Sequence, residues 1–472
     1  MAIGHKKGVT MKVIALVVAA VLLSSDGVAE KVRMSDDILR PFTASDDAAS
    51  RPAAEGIADL LNAARGAPPL ICSYASQSVR NGGWGWSDAP VTPLSNAGAR
   101  RSDRLDSDLS DADVNLLLES LSSDDPCVRE LSVRLVSRRS VPRVTSELVT
   151  RLASPLAPLR EVAALGLGMI EAAASVEPLM RTLRDATPGV RANSAWALGK
   201  TEDGRALASL MSVFGDGSPV VREAAVIAVG RIDSTRSATR LIRVLVSDDS
   251  PAVRRAAAWA LGEMEADEGV EALANALGRD GDIRVREMSA WALGTIESRA
   301  GVAALVSAAR RDADDKVRET AVWALAEIED EASADALDAV IAGDRSTRVR
   351  GTAAWAIGQI RDGSGRAPAG LVRLLKDESA DTRVKAAWAL GQIGDSSALP
   401  AIRDALRGET DQRVTSALTR ALLKSGERST ATLAQLLESS DPRVREAAVR
   451  ALAGRSSMNP WPWPQPRPRP NP

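Results

Sequence analysis

The sequence predicts an all-α fold: a right-handed α-α superhelix, a solenoid of about eleven helical pairs. Three observations predict it. First, one phrase recurs at a period of about 32 residues. It reads VRANSAWALGK at 190–200, VREAAVIAVGR at 221–231, VRRAAAWALGE at 253–263 and VREMSAWALGT at 285–295. It returns as VRETAVWALAE at 317–327, VRGTAAWAIGQ at 349–359 and TRVKAAWALGQ at 382–392, with looser copies from Val128, Leu159, Gln412 and Val444. Second, apolar residues inside each unit fall at helical spacing, in two runs split by a polar turn. Third, aromatic residues are few, with ten Trp, two Phe and one Tyr. Ala, Leu and Val fill the interior, a composition that suits closely packed short helices. A unit of this kind cannot bury its stripe alone, so neighbours must stack.

Residues 1–29 read as a secretory signal. Lys6, Lys7 and Lys12 precede the apolar run Val13 to Leu23, and Gly27-Val28-Ala29 supplies small residues for cleavage. An uncleaved anchor or a buried helix is the alternative, although the run is short for a bilayer span. The expected compartment is therefore periplasmic or extracellular. Residues 30–105 are less regular. A worn helical pair from Ala53 to Arg80, broken at Gly66-Ala67-Pro68-Pro69, leads into a Gly/Trp loop at 81–86.

The solenoid is expected over 106–455. In the unit 235–264, Ala238, Leu241, Ile242 and Leu245 form one stripe, and Val253, Ala257, Ala260, Leu261 and Met264 the next. Ser247 to Pro251 breaks the two helices. Residues 456–472 form a Pro-rich tail. Proline at every second position excludes helix and sheet and leaves an extended chain, either a solvated tail or a ligand for an aromatic groove.

The turn inside each unit carries a second regularity. Six residues separate Asp185 from Arg191, Asp216 from Arg222, Asp248 from Arg254 and Asp280 from Arg286. The same step joins Asp312 to Arg318, Asp344 to Arg350 and Asp377 to Arg383. The Asp can accept from free N–H groups at the helix start, or pair with the Arg of its own or an adjacent unit. Because these residues form a row and do not converge, a structural ladder is expected and not a catalytic site. Ser123, Ser154, Arg407 and Ser439 stand in the Asp slot of the outer units, where pairing is expected to lapse.

The Asp-then-Val-Arg spacing and the VRxxAAxALGxI helix resemble HEAT repeats of the phycobilisome-lyase-like subfamily, over 120–455. The resemblance implies that the Val-Arg helix is the second of each pair, that second helices line the concave face, and that Asp and Arg form the ladder between repeats. Chromophore lyases occur in that subfamily, and deoxyhypusine hydroxylase shares its repeat fold and holds iron through His-Glu motifs. This chain has one histidine, His5, so those motifs are missing. A His-dependent metal site, general base or nucleophile is excluded from 30–472. No cofactor and no metal are expected.

Six tryptophans share one slot: Trp196, Trp259, Trp291, Trp323, Trp355 and Trp388. Ile227 interrupts them, and Leu165, Leu418 and Arg450 replace them near the ends. On a helical wheel the slot faces away from the stripe that packs on the first helix. One turn later stand Lys200, Glu263, Thr295, Glu327, Gln359 and Gln392. Aromatic and polar groups so interleaved resemble the Trp–Asn array of armadillo proteins. Two arrangements satisfy this geometry. The row lines an open groove, or each ring leans on the next helix and covers Gly199, Gly262, Gly294, Gly358 or Gly391.

Taken as a groove, Trp196 to Trp388 with Glu263, Glu327, Gln359 and Gln392 form the candidate partner surface. Glu287 and Glu319 add negative charge, which favours a cationic or proline-rich protein or peptide. The formal net charge of −2 supplies no basic field for nucleic acid. The expected function is a non-catalytic protein-binding scaffold, with a structural spacer as alternative and an enzyme as a remote third. Cys72 and Cys127 are the only cysteines. Export permits a disulfide between them, and inert buried thiols are the alternative.

Overall fold

In the computed structural model the described residues are 56–65, 109–138, 142–232, 235–361, 363, 365–427, 429–438 and five positions between 442 and 449. The expected signal peptide, Cys72, the Gly/Trp loop and the Pro-rich tail lie outside them. Every regular element among the described residues is helical. They fall into two compact units divided between Ala206 and Leu207.

The first unit opens with α1 (Ile57–Ala64), which packs on α2 (Asp111–Ser120) and α3 (Pro126–Val136). The pairs α4 (Pro142–Arg151) with α5 (Ala157–Ile170) and α6 (Val176–Thr182) with α7 (Pro188–Thr201) follow. The second helices α3, α5 and α7 pack in sequence.

The second unit contains seven complete pairs. They are α8 (Leu207–Ser212) with α9 (Pro219–Ile232), α10 (Ala238–Ser247) with α11 (Pro251–Glu263), and α12 (Val270–Arg279) with α13 (Ile283–Ile296). Next come α14 (Val302–Arg311) with α15 (Asp315–Ile328), α16 (Ser333–Gly343) with α17 (Thr347–Ile360), and α18 (Ala369–Arg373) with α19 (Ala380–Ile393). The last complete pair is α20 (Leu399–Gly408) with α21 (Gln412–Lys424), followed by α22 (Thr430–Leu437). Second helices pack side by side as one layer, more closely than the first helices pack in theirs.

Local chemistry explains these boundaries. Proline at the first helical position presets φ where no N–H bond is lost, as at Pro188 and Pro251. Elsewhere an Asp caps the start: Asp282 accepts from the Arg284 and Val285 N–H groups, and Asp411 from those of Arg413 and Val414. Several second helices end on a residue in the left-handed region. That residue is Glu171, Glu202, Glu297, Glu329 or Gly394. Val253, Ala257, Ala260 and Leu261 of α11 and Leu241 of α10 are fully buried, and the pattern repeats from pair to pair. Their small size lets the second helices approach closely, which fixes what their outer face can present.

Candidate functional site

The intra-pair turns carry the ladder. Arg222 reaches across to Asp248 of the next repeat as a two-pronged fork, with both bonds at 2.8 Å. Arg254 holds Asp280, Arg286 holds Asp312 and Arg318 holds Asp344 in the same way, while two nitrogens of Arg350 donate to the Oδ2 of Asp377. Within its own repeat the third nitrogen of each Arg donates to a carbonyl oxygen. Arg191 gives to Asp185, Arg222 to Asp216 and Arg383 to Asp377. Each Asp also accepts the N–H two residues on, such as Ser250 on Asp248. The sequence spacing of six is therefore an Arg-to-carbonyl bond, while the ion pair runs forward to the next repeat.

Two members were missed by sequence. Arg160, in a looser copy, forks onto Asp185. At the other end Arg383 forks onto Glu409, not onto Arg407 two residues earlier. The register of the last complete pair thus differs by two from the sequence alignment. Val414 holds the core slot, Thr415 stands where the ladder Arg would be, and Ala421 packs on Gly391. In that register Arg420, not Leu418, follows the Trp row, and Leu418 is a core residue.

The electrostatics follow from the bonds. The Arg160 fork holds the Asp185 carboxyl below the usual range, and Arg383 does the same for Glu409. For Asp248 and Asp280 burial pushes upward, but the Arg222 and Arg254 forks and a turn N–H outweigh it, and both end low. An open hollow of about 390 Å³ lies on this edge, floored by Arg318 and Asp344 and flanked by Arg310 and Arg345. The ladder saturates its own charges, so it joins repeats and leaves little for chemistry.

The tryptophan row is not a set of open aromatic slots. Exposure is 2% at Trp196, 7% at Trp259, 9% at Trp291, 5% at Trp355 and 6% at Trp388. Trp323 alone is half-buried. Five of the six rings reach the preceding second helix and cover a glycine there, while Ala326 stands in that slot before Trp355. Cζ3 of Trp196 lies over Gly168, that of Trp259 over Gly230, and that of Trp291 over Gly262. Trp323 covers Gly294 and Trp388 covers Gly358. The slot does face away from the first helices, but close helix spacing turns it into an interhelix seam. A groove lined by these six as free anchors is therefore corrected to a floor of buried indoles.

Polar residues stand on that floor. Glu263 and Glu327, one turn after Trp259 and Trp323, are exposed. Gln359 and Gln392 are half-buried, and Lys424 donates to the Gln392 side-chain oxygen. One turn before Trp259, Trp291, Trp323 and Trp355 the slot holds Arg255, Glu287, Glu319 and Gly351. Glu319 is paired with Arg348 at 2.5 Å and accepts from the Thr352 hydroxyl at 3.3 Å. Burial pushes the Glu287 and Glu319 carboxyls up and the Lys385 ammonium down. Lys385 lays its stem over Gly351 and brings its charge towards Glu319. Sequence reading missed Arg348, Thr352 and Lys385, since nothing in the repeat phrase marks them. On α15 alone an acid precedes the Trp by one turn and another follows it: Glu319, Trp323, Glu327.

Cys127 is disulfide-bonded, and among the described residues no cysteine is free. Cys72 lies outside them. Among the described residues no group of three or more His, Cys, Asp or Glu could hold a metal ion, and no helix is long and apolar enough to cross a membrane.

Stacked helical pairs joined by an Arg–Asp ladder define a helical-repeat protein. The family model of HEAT repeats matches residues 145–230, 176–261, 209–294, 238–326, 270–358, 302–377 and 339–423, and the chain belongs to that family. Among solved structures it is similar to importin beta, at 16% identity and TM-score 0.54, covering 82% of this chain and 61% of that one. It is similar to Kap95p, whose binding induces the switch loops of RanGDP to adopt the GTP-bound conformation, at 15% identity and TM-score 0.52. That match covers 84% of this chain and 66% of the other. Both likenesses concern the fold. Human deoxyhypusine hydroxylase aligns at 22% identity over 57% of this chain and 99% of its own, with a TM-score of 0.26. No curated protein matches.

Proposed function

We propose that this chain is an exported, non-catalytic scaffold that binds a protein or peptide on the outer face of its second-helix layer. Within the HEAT-repeat family we place it with the phycobilisome-lyase-like group, on the VRxxAAxALGxI helix. The observation that carries the binding reading is the line Glu319–Trp323–Glu327 on α15. It presents the least buried indole of the row between two carboxylates, with Glu263 exposed on α11, two second helices away. Such a surface suits a cationic, proline-rich segment, because proline rings pack on an indole and Arg pairs with carboxylate. The relatedness in fold to Kap95p, which binds RanGDP, is consistent with a protein partner. The non-catalytic reading rests on His5 being the single histidine. Export rests on residues 1–29 and agrees with a disulfide at Cys127.

Fluorescence anisotropy with arginine- and proline-rich peptides tests the face. Binding that weakens at least ten-fold on Glu327→Lys, and not on Arg243→Glu on α10, is expected. Equal loss from both variants, or none from either, would favour the structural spacer. N-terminal sequencing of the protein from its host tests export, with Glu30 as the expected first residue.

A further inference from the structure

We infer that the hollow between α14 and α16 is a second binding site, and that it takes a carboxylate on a short apolar body. It shares no residue with the Trp-row face and stands whether or not that face binds a partner.

Two departures from the repeat meet there. Two residues before the ladder Asp stand Phe214, Val246, Gly278, Ala342 and Leu375 elsewhere in the second unit, but Arg310 in α14. Directly after the ladder Asp stand Gly217, Asp249, Gly281, Ala313 and Glu378, but Arg345 beyond α16. In that slot Asp249 lies 2.5 Å from Arg222, and Glu378 lies 3.8 Å from Arg350. Arg345 reverses the charge and cannot pair with Arg318. It makes one long bond, 3.4 Å to the Ala313 carbonyl oxygen. Arg310 makes no hydrogen bond or ion pair among the described residues. Both guanidinium side chains are exposed, and both line the same hollow.

Small residues on α16 open the space. Gly343 stands where α12 and α14 carry Arg279 and Arg311, and Ala339 stands where α10 and α12 carry Arg243 and Asn275. A Cβ added to Gly343 would meet nothing within 4 Å. The volume of about 390 Å³ suits a small ligand or one residue of a larger one.

The lining sets the chemistry. Arg318 and Asp344 on the floor already satisfy each other, so the uncompensated charge is that of Arg310 and Arg345. Guanidinium groups match a carboxylate through paired N–H···O bonds. Ala309, Ala339 and Val340 line the space between with apolar surface, which favours an acyl body over a bare ion. Phosphate fits less well. The hollow lies at the C-terminal ends of α14 and α16, where the backbone presents carbonyl oxygens and partial negative charge. Side chains must supply every donor, and a second negative charge on the ligand meets repulsion.

The test is a ligand-observed NMR titration of the full-length protein with isovalerate. Isovaleramide is the neutral isostere, N-acetyl-alanyl-valine offers a peptide end, and inorganic phosphate is the competitor. Isovalerate is expected to bind at least ten-fold tighter than isovaleramide, and phosphate to displace it poorly. If the dipeptide binds at least ten-fold tighter than isovalerate, the carboxylate is that of a peptide end. Equal binding assigns a free small acid. Arg310→Gln with Arg345→Gln is expected to weaken binding at least ten-fold. Ala339→Leu fills the hollow from an exposed position and keeps both charges, and it should weaken binding as much. Arg279→Gln, on the same edge but outside the hollow, should change nothing. Absence of binding by both carboxylates, or displacement by phosphate at equal concentration, would overturn the inference. So would loss on the double Gln variant without loss on Ala339→Leu, which would mark a diffuse charge effect and no site.

Discussion

The indole of Trp388 lies directly over Gly358 of the preceding second helix. A Cβ added to Gly358 would stand 2.6 Å from Cζ3 of Trp388 and 2.8 Å from the Ala389 Cα. One neighbour is a rigid ring and the other is backbone, so neither can yield cheaply. Gly358→Ala is expected to destabilise the unit by about 1–3 kcal/mol through overpacking. Gly278 in α12 has nothing within 4 Å of the same added atom. Gly278→Ala should therefore stabilise by about 0.5–1 kcal/mol, the ordinary helix gain. Urea denaturation of both variants decides the matter, and equal shifts at the two sites would refute a glycine seam.

Five glutamates adopt a backbone conformation that favours glycine: Glu171, Glu202, Glu265, Glu297 and Glu329, with φ between 46° and 57°. Gly394 and Gly426 adopt it in later repeats, at 71° and 84°. A side chain with a Cβ costs energy there, offset in part by the greater freedom glycine loses on folding. Glu297→Gly is expected to raise stability by up to about 1 kcal/mol, while Glu297→Val, branched at Cβ, lowers it. Thermal melts of the pair would show opposite signs. A fall in both would mean that the carboxylate, and not the backbone, matters at that cap.

The repeat fold was legible because one phrase carries it. Val253, Arg254, Trp259 and Gly262 each recur with a fixed partner, and a period is visible without knowing the contacts. What the phrase could not give was the direction of pairing. A step of six relates Asp248 to Arg254 in sequence, yet the fork on Asp248 comes from Arg222. For the Trp row the sequence offered both a groove and a glycine seam, and could not choose between them. A helical wheel treats one helix, whereas burial of Trp388 is decided by Gly358 on another. The register of α21 escaped because Thr415 and Arg420 replace the Arg and Trp that mark it elsewhere. The network of Arg348, Thr352 and Lys385 about Glu319 breaks the period, so no repeat announces it.

The Arg318–Asp344 pair is buried, with side-chain exposure of 6% on both partners. Removing one partner leaves a buried charge unmatched, and Asp344→Ala is expected to cost about 3–5 kcal/mol. Replacing both, as Arg318→Met with Asp344→Leu, should cost much less. A double-mutant cycle in urea measures the difference, and additive losses would show that the pair does not act as a unit. The ladder also fixes an acid limit. The carboxyls of Asp185, Asp248, Asp280 and Glu409 are lowered in the folded chain. Their contribution is fully present above the ordinary carboxylate range and is lost as pH falls through the lowered values. Stability should therefore drop steeply only below about pH 4.

Glu287 should show the opposite dependence. Burial raises its carboxyl, against the opposing pull of Lys316 and Arg284, while Asp314 and Glu319 add to the rise. The folded chain then binds a proton more readily than the unfolded chain. Stability falls as pH climbs from the ordinary glutamate value through the raised one, and above that window the desolvated charge persists. Glu287→Gln removes that charge and keeps the shape. It is expected to raise the melting temperature at pH 7 and to leave it unchanged below the ordinary value, where the wild-type carboxyl is already neutral. Melting the two proteins across pH 3.5 to 8 would reveal it. If attraction to Lys316 and Arg284 outweighed burial, the variant would instead be the less stable one at pH 7, and the difference would close on acidification.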